Sequence, residues 1–264
     1  MDKSKRNYFS IASLVITIIL VLTIVLVNSR KDNSVSSNDK DREVIDLVFK
    51  PIEIEPLKAI ELDEGQEIIQ TIELENADRK LHLYVRKEDN LENESQYVYG
   101  VIEHGERLYD LSLISAYGKD NVDIDLLDIT NDGKKEVRII GSLGSTYTEL
   151  KIISYNQNDN QWLNLLTMGS PYIADLDGDG SQEFIGVSTG VIPGYVDVYR
   201  WNGDSFAKAS VTESTKNTYA NLFNTGLTLE NKEMQHDSWV IETGNQESEF
   251  FRYGKGKLIK TIID

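Results

Sequence analysis

Residues 128–137 read DITNDGKKEV and residues 175–184 read DLDGDGSQEF. The two stretches share aspartate at positions 1 and 5, glycine at 6, glutamate at 9 and an apolar residue at 10, at an offset of 47 residues. Self-similarity at such a period marks a chain built from repeated supersecondary units. A second feature travels with the first. YNQNDNQW (155–162) and WNGDSF (201–206) each set a turn between two aromatics, and their starts lie 46 residues apart. Weaker copies flank them: Glu103–Leu108 begins 52 residues before Tyr155, and Tyr253–Leu258 begins 52 residues after Trp201. Asn202–Gly203 is a two-residue hairpin signal. Hairpins are therefore expected near 103, 155, 201 and 253.

Between these turns, apolar and polar residues alternate with period two, as in KLHLYV (80–85), LKIISY (150–155) and YVDVYR (195–200). That is the pattern of half-buried strands. The chain has four prolines, and its body shows no long i, i+3, i+4 stripe. The body from Val44 onward reads as all-β. A period of 46–52 residues accommodates a four-stranded unit, the size of a propeller blade. The expected fold is a β-propeller-like array of about four four-stranded repeats, with residues 44–65 as a cap or closing strand. A β-sandwich with regularly spaced hairpins is the alternative.

The acidic stretches lie between strands and carry the chemistry. In the second, Asp175, Asp177 and Asp179 take positions 1, 3 and 5, Gly180 the sharp turn at 6, Ser181 position 7 and Glu183 position 9. Hard oxygen ligands at alternating positions converge on calcium, with the residue at 7 offering its carbonyl. Without a cation, three aspartates within five residues repel one another. This is not an EF-hand, which needs Glu at position 12, where Gly186 stands, and flanking helices. In the first stretch Asp128, Thr130, Asp132, Lys134 and Glu136 hold the same positions. A neutral threonine at 3 and nearby lysines predict weaker binding. The corresponding positions of the outer units, near 81 and 222, hold no carboxylate cluster.

The two stretches resemble the FG-GAP/VCBS repeats of integrin α-subunit propellers and bacterial surface proteins. The resemblance covers residues 122–208 and rests on the acidic loops, because the Phe-Gly and Gly-Ala-Pro elements are missing. It implies calcium held at Asp175, Asp177, Asp179, Ser181 and Glu183, and at Asp128, Thr130, Asp132, Lys134 and Glu136. It also implies a structural role for the ion between propeller strands.

Ahead of the body, residues 9–27 read FSIASLVITIILVLTIVLV, with no charge. A bilayer core of about 30 Å needs a run of this length. It exceeds the h-region of a signal peptide and lacks a small-residue cleavage site. The reading is a short cytoplasmic segment (1–8), a transmembrane signal-anchor helix (9–27), a polar flexible linker (28–43) and an extracellular β-repeat domain (44–264). The alternative is secretion after signal-peptide cleavage. Positive charges flank both sides of the run, so they do not set its orientation. Calcium chemistry does, because loops of this kind suit the extracellular calcium range.

The 264 residues carry 44 acidic and 27 basic side chains, a formal net charge of −17, and no cysteine. Disulfide scaffolds, thiol catalysis and cysteine-ligated zinc are thereby excluded. The first 31 residues carry five basic side chains and one acidic, leaving −21 for the rest. Such a body repels nucleic acid and anionic membrane and suits small cations. None of His82, His104 and His236 sits in a metal-protease motif, and no nucleophile elbow or P-loop occurs. The expected function is therefore a non-enzymatic binding, adhesion or scaffold module. Its partner would be a protein or cell-wall polysaccharide, with calcium structural. The alternative is a surface carbohydrate-binding or polysaccharide-acting domain, with Trp162, Trp201 and Trp239 as candidate sugar platforms.

Overall fold

The computed structural model describes residues 42–75, 78–89, 97–188, 193–224 and 239–262. The segments read as cytoplasmic tail and membrane anchor (1–8 and 9–27) lie outside the described residues, as does nearly all of the linker. Among the described residues no helix is long and apolar enough to cross a membrane.

The body begins with four short strands: β1 (Val44–Asp46), β2 (Lys50–Pro51), β3 (Glu55–Pro56) and β4 (Ala59–Ile60). Four antiparallel meanders follow. The first is β5 (Gln66–Glu73), β6 (Arg79–Arg86), β7 (Val98–His104) and β8 (Arg107–Ser115). The second is β9 (Val122–Leu127), β10 (Glu136–Ser142), β11 (Thr148–Asn156) and β12 (Gln161–Gly169). The third is β13 (Pro171–Ala174), β14 (Glu183–Val187), β15 (Val196–Trp201) and β16 (Phe206–Ser210). The helical turn α1 (Val211–Thr215), capped by the Ser210 hydroxyl, leads to the fourth: β17 (Tyr219–Asn224), β18 (Trp239–Gly244), β19 (Ser248–Gly254) and β20 (Lys257–Thr261).

Each sheet has five strands rather than the expected four. The fifth comes from the N-terminal segment. β4 pairs with β8, β3 with β12, β2 with β16 and β1 with β20. Residues 44–60 are thus not a cap on one repeat. They form a strap that crosses the outer edge of all four sheets in reverse chain order. Its short strands, two of which carry a proline, cover the fourth strand of each sheet, an edge that would otherwise present unpaired N–H and C=O groups.

The expected hairpins join the third and fourth strands of each sheet: His104 to Arg107, Asn156 to Gln161, Trp201 to Phe206 and Gly254 to Lys257. Asn202–Gly203 is not a two-residue turn, because Trp201 pairs with Phe206 across four residues. The Asn202 carboxamide oxygen accepts the Asp204 and Ser205 N–H groups, both at 3.0 Å, and so widens the turn. Two of these hairpins do have two-residue turns, Gly105–Glu106 and Lys255–Gly256; in the latter both residues take positive φ (51° and 80°), as a type I′ turn requires.

Three hydrophobic clusters join successive sheets. Leu81, Ile102 and Leu111 meet Val137, Ile139 and Trp162; Leu150, Leu166 and Met168 meet Phe184 and Phe206; Ile185, Val198 and Ala209 meet Ile241, Phe251 and Leu258. Leu57 of the strap enters the first cluster, Ile52 and Ile54 the second, and Ile45, Leu47 and Phe49 the third. Each fully buried Leu, Ile or Phe contributes about 1.5–3 kcal/mol. Among the described residues, no cluster joins the fourth sheet to the first. Because every meander runs the same way, first-to-second and third-to-fourth turns share one end of the array. Second-to-third turns and the links between sheets share the other.

Candidate metal centre

Both acidic stretches connect the first and second strands of their sheets, 128–135 before β10 and 175–182 before β14. The equivalent connections in the outer sheets are residues 74–78 and 225–238, not the neighbourhoods of 81 and 222, which lie inside β6 and β17. Residues 225–238 and His236 within them lie outside the described residues. In the first sheet, Glu75 pairs with Lys135 at 3.7 Å and Asp78 lies 3.5 Å from the His104 ring, so each of those acids already has a partner.

The two central loops share one backbone. Positions 4 and 6 take positive φ in both: Asn131 (58°) and Gly133 (83°), Gly178 (73°) and Gly180 (91°). Asparagine tolerates that region better than other side chains, and glycine adopts it freely. Position 1 accepts N–H groups from the far side of the turn. Asp128 takes those of Asp132 and Gly133, both at 3.1 Å. Asp175 takes those of Gly178, Asp179 and Gly180 at 2.7–3.2 Å. Position 5 accepts the N–H of position 7, Lys134 to Asp132 at 2.9 Å and Ser181 to Asp179 at 2.7 Å. The glutamate at position 9 opens the second strand, is buried, and accepts the N–H of position 2. Ile129 reaches Glu136 at 2.8 Å and Leu176 reaches Glu183 at 3.0 Å.

The loops part at positions 3 and 7. In the 128–136 loop, Thr130 gives the buried Glu136 both its N–H (3.2 Å) and its hydroxyl (3.3 Å), and Ser154 adds a hydroxyl at 3.4 Å. The Lys134 ammonium stands 3.3 Å from Asp132. Burial raises the Glu136 carboxyl, and the Ile129 and Thr130 N–H groups pull it back.

In the 175–183 loop, position 3 is Asp177, and among the described residues no hydroxyl donates a hydrogen bond to Glu183. Burial pushes the Glu183 carboxyl up to about 7; the Leu176 N–H opposes this, and Asp177, Asp179 and Asp175 reinforce it. Asp175, Asp177 and Glu183 bring carboxylate oxygens within 4.8 Å of one another. Calcium binds oxygens at 2.3–2.6 Å, so two ligands on opposite sides of the ion lie about 5 Å apart. The trio fits that span. Asp179 and Ser181 lie outside it, joined to each other. The 128–136 loop shows no such convergence.

Asp177 is also a contact between sheets. Its second oxygen accepts the Lys255 N–H at 2.6 Å, from the turn of the fourth sheet. A cleft of about 400 Å³ opens over the loop, walled by Asn131, Arg200, Trp201, Tyr253 and Lys255. Arg200 reaches the strap, its guanidinium 4.0 Å from the Phe49 ring centre. No local sequence signal marks Lys255 or Arg200, because their neighbours arrive from distant chain segments.

His82 and His104 both pack within the sheets. His82 is buried in β6, between the Thr71 hydroxyl (2.8 Å) and Glu103 (2.7 Å). His104 packs edge-on against Tyr155 and Trp162. Trp162 and Trp239 are buried, and Trp201 packs on Phe206, so these three side chains belong to the core and its margins. No protein-family model, curated protein or solved structure matches this chain.

Proposed function

We propose that the chain is a membrane-anchored, extracellular calcium-binding β-repeat protein of FG-GAP/VCBS type, acting as a binding, adhesion or scaffold module. Its four sheets would be the blades of an open, propeller-like array, laced by the strap. Calcium is structural. It offsets carboxylate repulsion in the 175–183 loop, at Asp175, Asp177 and Glu183, and performs no chemistry. The observation that carries this reading is the convergence of those three carboxylates in a loop whose metal-poor twin keeps the same backbone. The apolar run 9–27 supports the anchor, and the affinity range of such loops supports the outward orientation.

The test is thermal unfolding of residues 44–264 in excess EDTA and in 1 mM calcium. At ten times Kd one site adds about 1.4 kcal/mol, which raises Tm by roughly 3–6 °C for a domain of this size. Asp177→Ala should remove that rise. Equal melting in both buffers rejects the metal. A second reading, that the domain binds carbohydrate, is favoured by one feature: exposed tyrosines gathered at the opposite end of the array.

A further inference from the structure

Among the described residues three of the four exposed tyrosines, Tyr117, Tyr147 and Tyr195, lie at the end opposite the acidic loops; the fourth, Tyr172, packs edge-on against Trp239. Two of them repeat. Tyr147-x-Glu149 at the start of β11 recurs as Tyr195-x-Asp197 at the start of β15, an offset of 48 residues in adjacent sheets. The Tyr147 ring lies against Gly169, where an added Cβ would stand 2.5–2.9 Å from three of its atoms. Backbone thus supports one side of a ring that remains 43% exposed. In register, Glu149 is flanked by Gly141 and Gly169, and Asp197 by Gly186 and Ser210. The Glu149 side chain keeps 20% of its surface and the Lys208 side chain 43%, whereas Asp197 is buried beneath its lysine.

Charge identifies the ligand. Glu149 pairs with Lys151 at 2.8 Å and Asp197 with Lys208 at 2.7 Å. Each tyrosine therefore lies two residues along the chain from the acid of an ion pair with no net local charge. A cation would find these carboxylates already paired, and the body's −21 repels a polyanion. A neutral sugar satisfies both features. Its C–H face stacks on an aromatic ring, and its hydroxyls need donors and acceptors together. In the first sheet the position before the third strand is Tyr97, and a tyrosine, Tyr99, stands where the other two sheets have an acid. Arg86 covers the Tyr99 ring at 4.2 Å, and the Tyr99 hydroxyl donates to Asp89 at 2.8 Å.

We propose that this end of the second and third sheets binds a neutral polysaccharide, with sugar rings on Tyr147 and Tyr195 and hydroxyls at Glu149 and at Lys208, which the buried Asp197 holds in place. The site deepens the carbohydrate reading above and rests on it.

The experiment is depletion of the full chain, in non-ionic detergent, onto amorphous cellulose, chitin, insoluble β-1,3-glucan and heparin–agarose. At least one neutral matrix should retain the protein, and heparin should not. Tyr147→Ala and Tyr195→Ala should each weaken retention about threefold to tenfold. Gly169→Ala should do the same by lifting the Tyr147 ring, although it removes no side chain. Tyr147→Phe and Asp177→Ala should retain binding, the latter separating this site from the metal loop. Retention on heparin alone, or on no matrix, overturns both the site and the carbohydrate reading. Retention unchanged in the two alanine variants and in Gly169→Ala leaves the carbohydrate reading standing and overturns the site.

Discussion

The loops 128–136 and 175–183 have the same backbone and different interiors. Both bury a glutamate at the mouth of a strand, where its carboxylate ties down the start of the loop. In the first, Thr130 and Ser154 point hydroxyls at that glutamate, and Lys134 neutralises Asp132. In the second, Asp177 replaces the threonine, and no lysine stands at position 7. One loop satisfies its buried charge with protein donors. The other leaves a cluster of negative charge that a divalent cation would complete. The residue types at positions 3 and 7 separate a self-sufficient turn from a candidate metal centre.

The largest difference should appear on removing the buried glutamates. Glu136→Ala strands the Ile129 and Thr130 N–H groups and should cost about 2–4 kcal/mol by denaturant unfolding, equally with calcium or chelator. Equal dependence on calcium in this variant and in Glu183→Ala would mean the loops do not differ.

The pH response comes next. The folded-state carboxyl of Glu183 lies near 7, above its ordinary value. Between about pH 4.5 and 7 the folded state therefore binds more protons than the unfolded state, and stability falls as pH rises. In EDTA that loss should approach, at most, about 3 kcal/mol. Saturating calcium should flatten it, because a bound cation holds the carboxylate ionised. Unfolding free energies measured across this range in both buffers will decide, and an identical slope in each removes the link to metal.

Exchanging the two residues at position 3 probes the same contrast more finely. Asp177→Thr should abolish the calcium-dependent gain of about 1.4 kcal/mol and raise stability in chelator. It also removes the acceptor for the Lys255 N–H, so hydrogen exchange at the turn of the fourth sheet should speed up. The reverse exchange has the smallest effect. Thr130→Asp should lower stability in chelator and bring a calcium response below about 1 kcal/mol, because Lys134 stays beside Asp132. Titration calorimetry showing a full-strength second site would mean that lysine does not weaken the loop.

The reading of residues 103, 155, 201 and 253 as hairpins was available because each turn is local. Glycine or asparagine sits where the chain reverses, and alternating strands flank it. The strap was not available. Its strands are two or three residues long, too short for any period to register, and their partners lie up to 215 residues away (Val44 with Ile259). The acidic loops were legible as ligand-bearing turns, but not as unequal in the way found here. Sequence distinguishes Thr130 from Asp177. It does not show that Ser154, from another strand, completes the donors to Glu136, or that Lys255 donates to Asp177.

The amino-acid sequence alone settles the all-β character, the repeat period and the positions of the acidic turns. Strand alternation, turn chemistry and Asp/Gly spacing act over a few residues, and the chain carries them wherever it goes. The fifth strand of every sheet, the junctions between neighbouring sheets and the tyrosine end depend on segments that meet only after folding. Their energetics reside in long-range pairing and burial, and no local pattern encodes which distant edge a short strand will cover.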